Sequence, residues 1–165
     1  MTASAEENPG EAQARRLESV YEQLAALLRQ PEVAQRLRAA PGADEWSAMQ
    51  TVGHIAEMIP YWLSHCHTLI AATAGPPRFG RTLDAPERLA GVERGATGTP
   101  DEYLRLLNDE VQAAAKAIRR MLAAERGQKG IHLRRGEMTV ADVVEVFIVA
   151  HAEEHLAQVQ AALRT

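Results

Sequence analysis

The sequence has a single cysteine, Cys66, so no disulfide can form within the chain and a reducing compartment fits it. Lysine is nearly absent too, with only Lys116 and Lys129, and the formal net charge is −4 at pH 7. Arginine carries the other positive charges without forming a basic stripe. Nucleic-acid surfaces neutralise phosphates with clustered cations, so that class of partner is excluded. Residues 1–9 have no apolar core and include Glu6 and Glu7, which argues against a signal peptide or membrane anchor and makes a cytoplasmic location the expectation. No internal repeat stands out, and no low-complexity tract beyond alanine-rich helix surfaces. What is present is 165 residues, 46% of them hydrophobic, enough for one core and one domain. Residues 1–10 read as a flexible arm and 11–165 as a single domain.

Apolar residues recur at helical spacing in four stretches. Leu17, Val20, Tyr21, Leu24, Leu27 and Leu28 mark the first, which Pro31 interrupts. Ser47 and Gln50 are spaced as a capping box that opens a second helix over 48–72, with Pro60 bending it. Its main stripe is Val52, Ile55, Ile59, Leu63, Cys66 and Ile70. His54 lies off that stripe, beside Met58, Tyr61 and His65. So much apolar circumference suggests a second face shared with a partner subunit, and hence a homodimer. Residues 76–99 read as a long loop holding Phe79, Arg81 and Leu83. Thr99, Pro100 and Glu102 then start a third helix running to about position 125. The stretch 131–138 reads as a basic linker, and Thr139 caps a last helix over 140–163. The expected fold class is therefore all-α: a four-helix bundle with a long crossover between the second and third helices.

The last helix carries the chemistry. At 100° per residue, Val140, Val144, Phe147, Ile148, His151, His155 and Ala162 share one sector, with Ala152 outside it. Two imidazoles stacked among apolar side chains leave polar atoms that each cost about 1–3 kcal/mol if unpaired, and one metal ion satisfies both. His151, Glu154 and His155 match the H-x-x-E-H pattern of inverted zincins. The chain ends ten residues later, without room for the further carboxylate ligand those enzymes use. Di-iron bundles need Glu-x-x-His on two helices, and the residues three before the histidines are Ile148 and Ala152. His65, Cys66 and His67 diverge by about 100° per residue on a helix and cannot converge on one ion.

Taken together, Trp46-Ser47, His54 in T-V-G-H-I-A-E, and TVADVVEVFIVAHAEEHLAQ over 139–158 resemble the bacterial DinB-like, DNA-damage-inducible family of four-helix-bundle metalloproteins, over about residues 16–163. That family includes relatives of the mycothiol- and bacillithiol-dependent transferases. The resemblance implies a divalent metal held by His54, His151 and His155, and a low-molecular-weight thiol among the substrates. Three histidines are the ligand set of a catalytic zinc site rather than a closed structural one. Zinc or nickel leads, with iron or manganese as alternatives, because imidazole suits several of these metals. Glu57 and Glu154, each three residues from a histidine, are candidates to orient an imidazole or act as general base. Arg81, Arg134 and Arg135 could meet the carboxylates of a thiol cosubstrate.

The leading expectation is a metal-dependent thiol S-transferase or isomerase acting on a small electrophile. A metal-dependent hydrolase and a non-catalytic, metal-stabilised, stress-associated binding protein are the rivals. If the histidines are ligands, zinc should raise the melting temperature at pH 8 and much less at pH 5.

Overall fold

Side chains that satisfy orphan helix-end donors decide where the helices of the bundle begin. The structure, a computed structural model, describes residues 8–164. Asn8 accepts from the Gly10 amide at 3.0 Å and opens α1, Pro9–Leu28. The end of the expected arm is therefore helix, while positions 1–7 lie outside the described residues. The Ser47–Gln50 box caps α2, Ala48–Ala71. Strand β1, Arg78–Phe79, and helix α3, Pro86–Thr97, follow. The Thr99–Glu102 box starts α4, Pro100–Arg120. A short α5, Ala123–Arg126, leads into β2, Lys129–His132, and β3, Gly136–Thr139. The Thr139–Asp142 box starts α6, Val140–Val143, which runs through a π turn, Val144–Val149, into α7, Ala150–Arg164.

Helices α1, α2, α4 and the α6–α7 unit form the four-helix bundle, and α3 with the strands occupies the crossover and one end. Leu17, Leu24, Ile55, Ile59, Leu107, Ile118 and Ile148 fill the shared core, each worth about 1.5–3 kcal/mol in area removed from water. Arg16 bridges Glu145 and Glu153, and Arg119 bridges Glu11 and Glu18, tying α1 to its two neighbours. These pairs are partly exposed, so solvent screening leaves each little net strength. Among the described residues no helix is long and apolar enough to cross a membrane.

Three expectations need correction. Residues 76–99 are not a loop: β1 pairs parallel with β2, and α3 packs along α2. The contact is backbone on backbone. A Cβ on Gly53 would sit 2.5 Å from the Gly91 carbonyl oxygen, and one on Gly91 2.6 Å from Glu57 Cβ. Gly91 and Gly95, which resemble loop residues in the sequence, are there because only glycine lets the two helices approach this closely. Gly53→Val is expected to cost about 1–3 kcal/mol by overpacking, read as a lower urea midpoint at unchanged slope.

Second, the linker 131–138 is largely a hairpin, with β2 antiparallel to β3 in the register Ile131 to Glu137. Third, α2 is buried all round before Pro60: residues 51–56 are all buried. Beyond Pro60 the buried residues are Trp62, Cys66 and Leu69, while Leu63 and Ile70 are only half-buried. Met58 is fully buried, and Tyr61 packs beneath Arg81 of the same chain at 3.8 Å. Of the face for which the sequence suggested a second subunit, Met58 is covered from within, while Tyr61 and His65 are only partly buried.

Candidate metal centre

The π turn sets the direction of the histidine pair. Its i→i+5 bonding widens one turn, so everything after Val149 is rotated relative to a uniform helix. Ala152, placed outside the apolar sector by the regular wheel, is fully buried, along with Leu156 and Val159. His151 and His155 move to the edge of the stripe and are half-buried. His54, pressed in by the glycine contact one residue earlier, is 1% exposed.

The three histidines meet. One ligand-capable atom from each of His54, His151 and His155 lies within 4.8 Å of the others. The ring centroids are 5.5 Å apart for His54–His151, 4.7 Å for His54–His155 and 4.5 Å for His151–His155. Both ring nitrogens of His54, Nδ1 of His151 and Nε2 of His155 are buried without a hydrogen-bond partner. Four such atoms in one place would be a heavy cost if nothing satisfied them. A single cation, accepting one lone pair from each neutral imidazole, would satisfy three of the four and leave the second His54 nitrogen over.

Burial pushes the His54 imidazolium pKa down to about 2, and the adjacent His155 and His151 add to the shift. His151 falls to about 4, through burial first and then His155, although the Phe147 backbone opposes the shift. His155 is lowered, chiefly by burial, although its contact with Gln158 opposes the shift. The cluster is therefore neutral at physiological pH. His155 Nδ1 lies 2.8 Å from Gln158 Oε1, an acceptor that selects the tautomer leaving Nε2 bare. Gln158 was not singled out in the sequence, although its i+3 spacing from His155 was a signal for it.

The two carboxylates fare differently from each other. Glu57 Oε2 is 3.7 Å from His54 Nδ1, beyond hydrogen-bond reach. Both Glu57 oxygens are taken by the Arg81 guanidinium, one at 2.7 Å. Glu154 is exposed on the outer side of α7. Neither lines the cavity beside the histidines.

That cavity, about 370 Å³, is bounded by His54 and His151 at its base and by Trp62, Phe147 and His132 along its walls, with Arg81, Arg88, Arg134 and Arg135 around it. Trp62 and Phe147 stack at 4.2 Å. His132 is buried and its Nδ1 accepts from the backbone amides of Arg134 and Arg135, both at 3.2 Å. Arg88 and His132 were missed because the segments carrying them read as loop and linker. Cys66 is fully buried, its thiol pushed up to about 12 by burial. His65 stacks on Tyr61 and Trp62 as a packing residue.

No curated protein matches the chain. Among solved structures it is similar to YfiT from Bacillus subtilis, described as a probable metal-dependent hydrolase with an unusual four-helix bundle topology. The TM-score is 0.72 at 17% identity, with 99% of this chain and 90% of that one covered. At that identity the likeness is one of fold. The sequence profile of the DinB superfamily matches residues 13–159, a span that includes all three clustered histidines and most of each bundle helix; this chain belongs to the DinB superfamily.

Proposed function

We propose that His54, His151 and His155 hold one divalent cation, zinc or nickel ahead of iron or manganese, and that the adjoining cavity is the site of a metal-dependent reaction on a small molecule. The observation that carries this is the convergence of buried imidazole nitrogens with no other partner. A divalent cation held there supplies Lewis acidity, lowering the pKa of a thiol or water that reaches it. The chain's own residues do the rest. Burial holds the three imidazoles neutral, Gln158 orients His155, and Trp62 with Phe147 keeps one wall of the cavity apolar.

Thiol transfer to a small electrophile is the reaction this arrangement favours. Among the described residues no carboxylate lines the cavity, and the neutral His132 ring there, whose Nδ1 already accepts two backbone amides, carries its proton on Nε2, so it offers no free base for water. Cys66 is buried as a neutral thiol, so the sulfur nucleophile must come from a low-molecular-weight thiol cosubstrate. That thiol would lose its proton to solvent, its sulfur would bond to the electrophilic carbon, and the leaving group would depart with the electrons of the broken bond. Hydrolysis is the second reading, favoured by the likeness in fold to YfiT. It would need Glu57 to leave Arg81, or Glu154 to turn inward. The homodimer expected from the sequence would use the partly exposed surface of α2 around Tyr61 and His65.

Metal analysis of protein purified without an immobilised-nickel column tests the proposal. About one metal per chain is expected in the wild type, and close to none in His151→Ala at unchanged helical circular dichroism, since only two of the three imidazoles would remain to hold it. Full occupancy in the variant would overturn the assignment. Turnover of an electrophile that requires added thiol then separates transfer from hydrolysis.

A further inference from the structure

The whole chain is acidic, yet the cavity beside the histidines collects Arg81, Arg88, Arg134 and Arg135 and, among the described residues, no acid. Arg81 is neutralised by Glu57 and lies 3.9 Å from Glu87. The other three have no carboxylate partner: Arg88 donates only to the Leu83 carbonyl, at 2.7 Å, and packs over Trp46 at 5.0 Å. Arg135 lies over Phe147 at 5.4 Å. Elsewhere in the structure arginines near acids pair with them, as Arg16 and Arg119 do. Three guanidiniums around one cavity with no carboxylate among them make a locally positive site that suits an anion.

We propose that this rim is the recognition site for an anionic group, a carboxylate or a phosphate, carried by the small molecule that reacts at the histidine centre. The rim is built for the task. Arg134 and Arg135 are held in place through their backbone amides by the buried His132 ring, and Arg88 and Arg135 are stacked on aromatic faces that restrict their motion. A guanidinium presents a planar fork that matches both carboxylate and phosphate. The walls between rim and histidines are aromatic, so the ligand pairs an anionic head with an apolar body. A cavity of about 370 Å³ is of small-molecule size. Burial and the nearby Arg81 both lower the Arg88 pKa, a cost that a bound anion would relieve.

The inference rests on the cavity being the substrate site proposed above, and it can be tested without metal or turnover. Both tryptophans adjoin the site, Trp46 under Arg88 and Trp62 in the wall, so intrinsic fluorescence reports binding. Metal-free protein at low ionic strength is titrated with phenyl phosphate, with phenylsuccinate, and with benzyl alcohol as the uncharged counterpart. Saturable binding of at least one anion is expected, with none by the alcohol, and the tighter arm identifies phosphate or carboxylate as the head group. Arg134→Gln/Arg135→Gln, both on the exposed hairpin turn, should weaken it about tenfold or more, as should Arg88→Gln, since charge-assisted bonds are lost. Equal binding of the alcohol, unchanged affinity in the double variant, or no saturation by either anion up to about 10 mM overturns the inference. Zinc binding to the same samples is scored separately: its loss counts against the metal centre alone, and its retention with failed anion binding counts against the rim alone.

Discussion

Zinc is expected to raise the melting temperature of metal-free protein by about 5–10 °C at pH 8 when present at a hundredfold excess over its dissociation constant. The increment follows from roughly 2.7 kcal/mol of binding free energy at that excess and about 2–4 °C per kcal/mol for a chain of this size. Its pH dependence is where the structure departs from simple histidine behaviour. Folded His54 and His151 titrate at about 2 and about 4, against about 6.5 in an unfolded chain. Between these limits the unfolded state holds more protons, so metal-free stability is full above about pH 6.5 and declines as pH falls through the folded values. Within the fold, the same depression keeps the ring nitrogens available, and protons compete poorly with zinc. The zinc increment is therefore expected to persist near pH 5.5 and to fade only toward about pH 4, lower than free imidazole would allow. Melting curves with EDTA and with zinc across this range check it. No increment at pH 8 would remove the centre; disappearance between about pH 7 and 6 would mean that the imidazoles titrate as solvent-exposed groups.

Arg81→Ala should destabilise the fold by about 3–5 kcal/mol, because it leaves the Glu57 carboxylate buried without its counter-ion. Both side chains are sequestered, at 7% and 8% exposure, so solvent cannot replace the lost partner. A drop of about 10 °C or more in melting temperature is the expected reading. Arg81→Met with Glu57→Leu removes both charges and should recover most of the loss, since well-packed apolar pairs often match a buried ion pair. If the single and double variants melt alike, the pair is not the source of the effect. A loss below about 1 kcal/mol in the single variant would show that Glu57 finds water, as surface pairs do.

The features legible in the sequence are those written in local chemistry. Ser47 with Gln50, Thr99 with Glu102, and Thr139 ahead of the last helix are cap signals whose side chains act within one turn, and each opens a helix where expected. The His151–His155 pair was legible for the same reason, as two residues one turn apart on a single helix. His54 was placed only by resemblance: α2 is buried on every side around it, so periodicity carries no direction there. Helix α3 was hidden because Gly91 and Gly95 lower helix propensity, and their purpose, backbone contact with Gly53, is a property of two segments at once. The π turn has no short-range signature in Val144–Val149, yet it decides that Ala152 faces the core. Of the cavity rim, Arg81, Arg134 and Arg135 were singled out in the sequence but Arg88 was not: it lies 47 positions from Arg135 and joins it only through the fold.

The pairing of β1 with β2 joins those two segments mechanically. Ile131 donates to the Pro77 carbonyl at 2.9 Å and Leu133 to that of Phe79 at 3.0 Å, so the crossover strand leading to Arg81 and the hairpin bearing Arg134 and Arg135 share one ladder. Such a ladder is stiff along its length, and the chain can pivot most freely at its glycines. Gly80, at φ +112°, lies just beyond β1, and Gly136, at φ +74°, begins β3, both in backbone conformations that side chains rarely adopt. Any motion of the crossover about Gly80 would therefore carry the hairpin with it, unless the β1–β2 hydrogen bonds break. Exchange of the Ile131 and Leu133 amides with solvent reports how far the crossover and hairpin separate from each other, and their protection shows the two moving as one body.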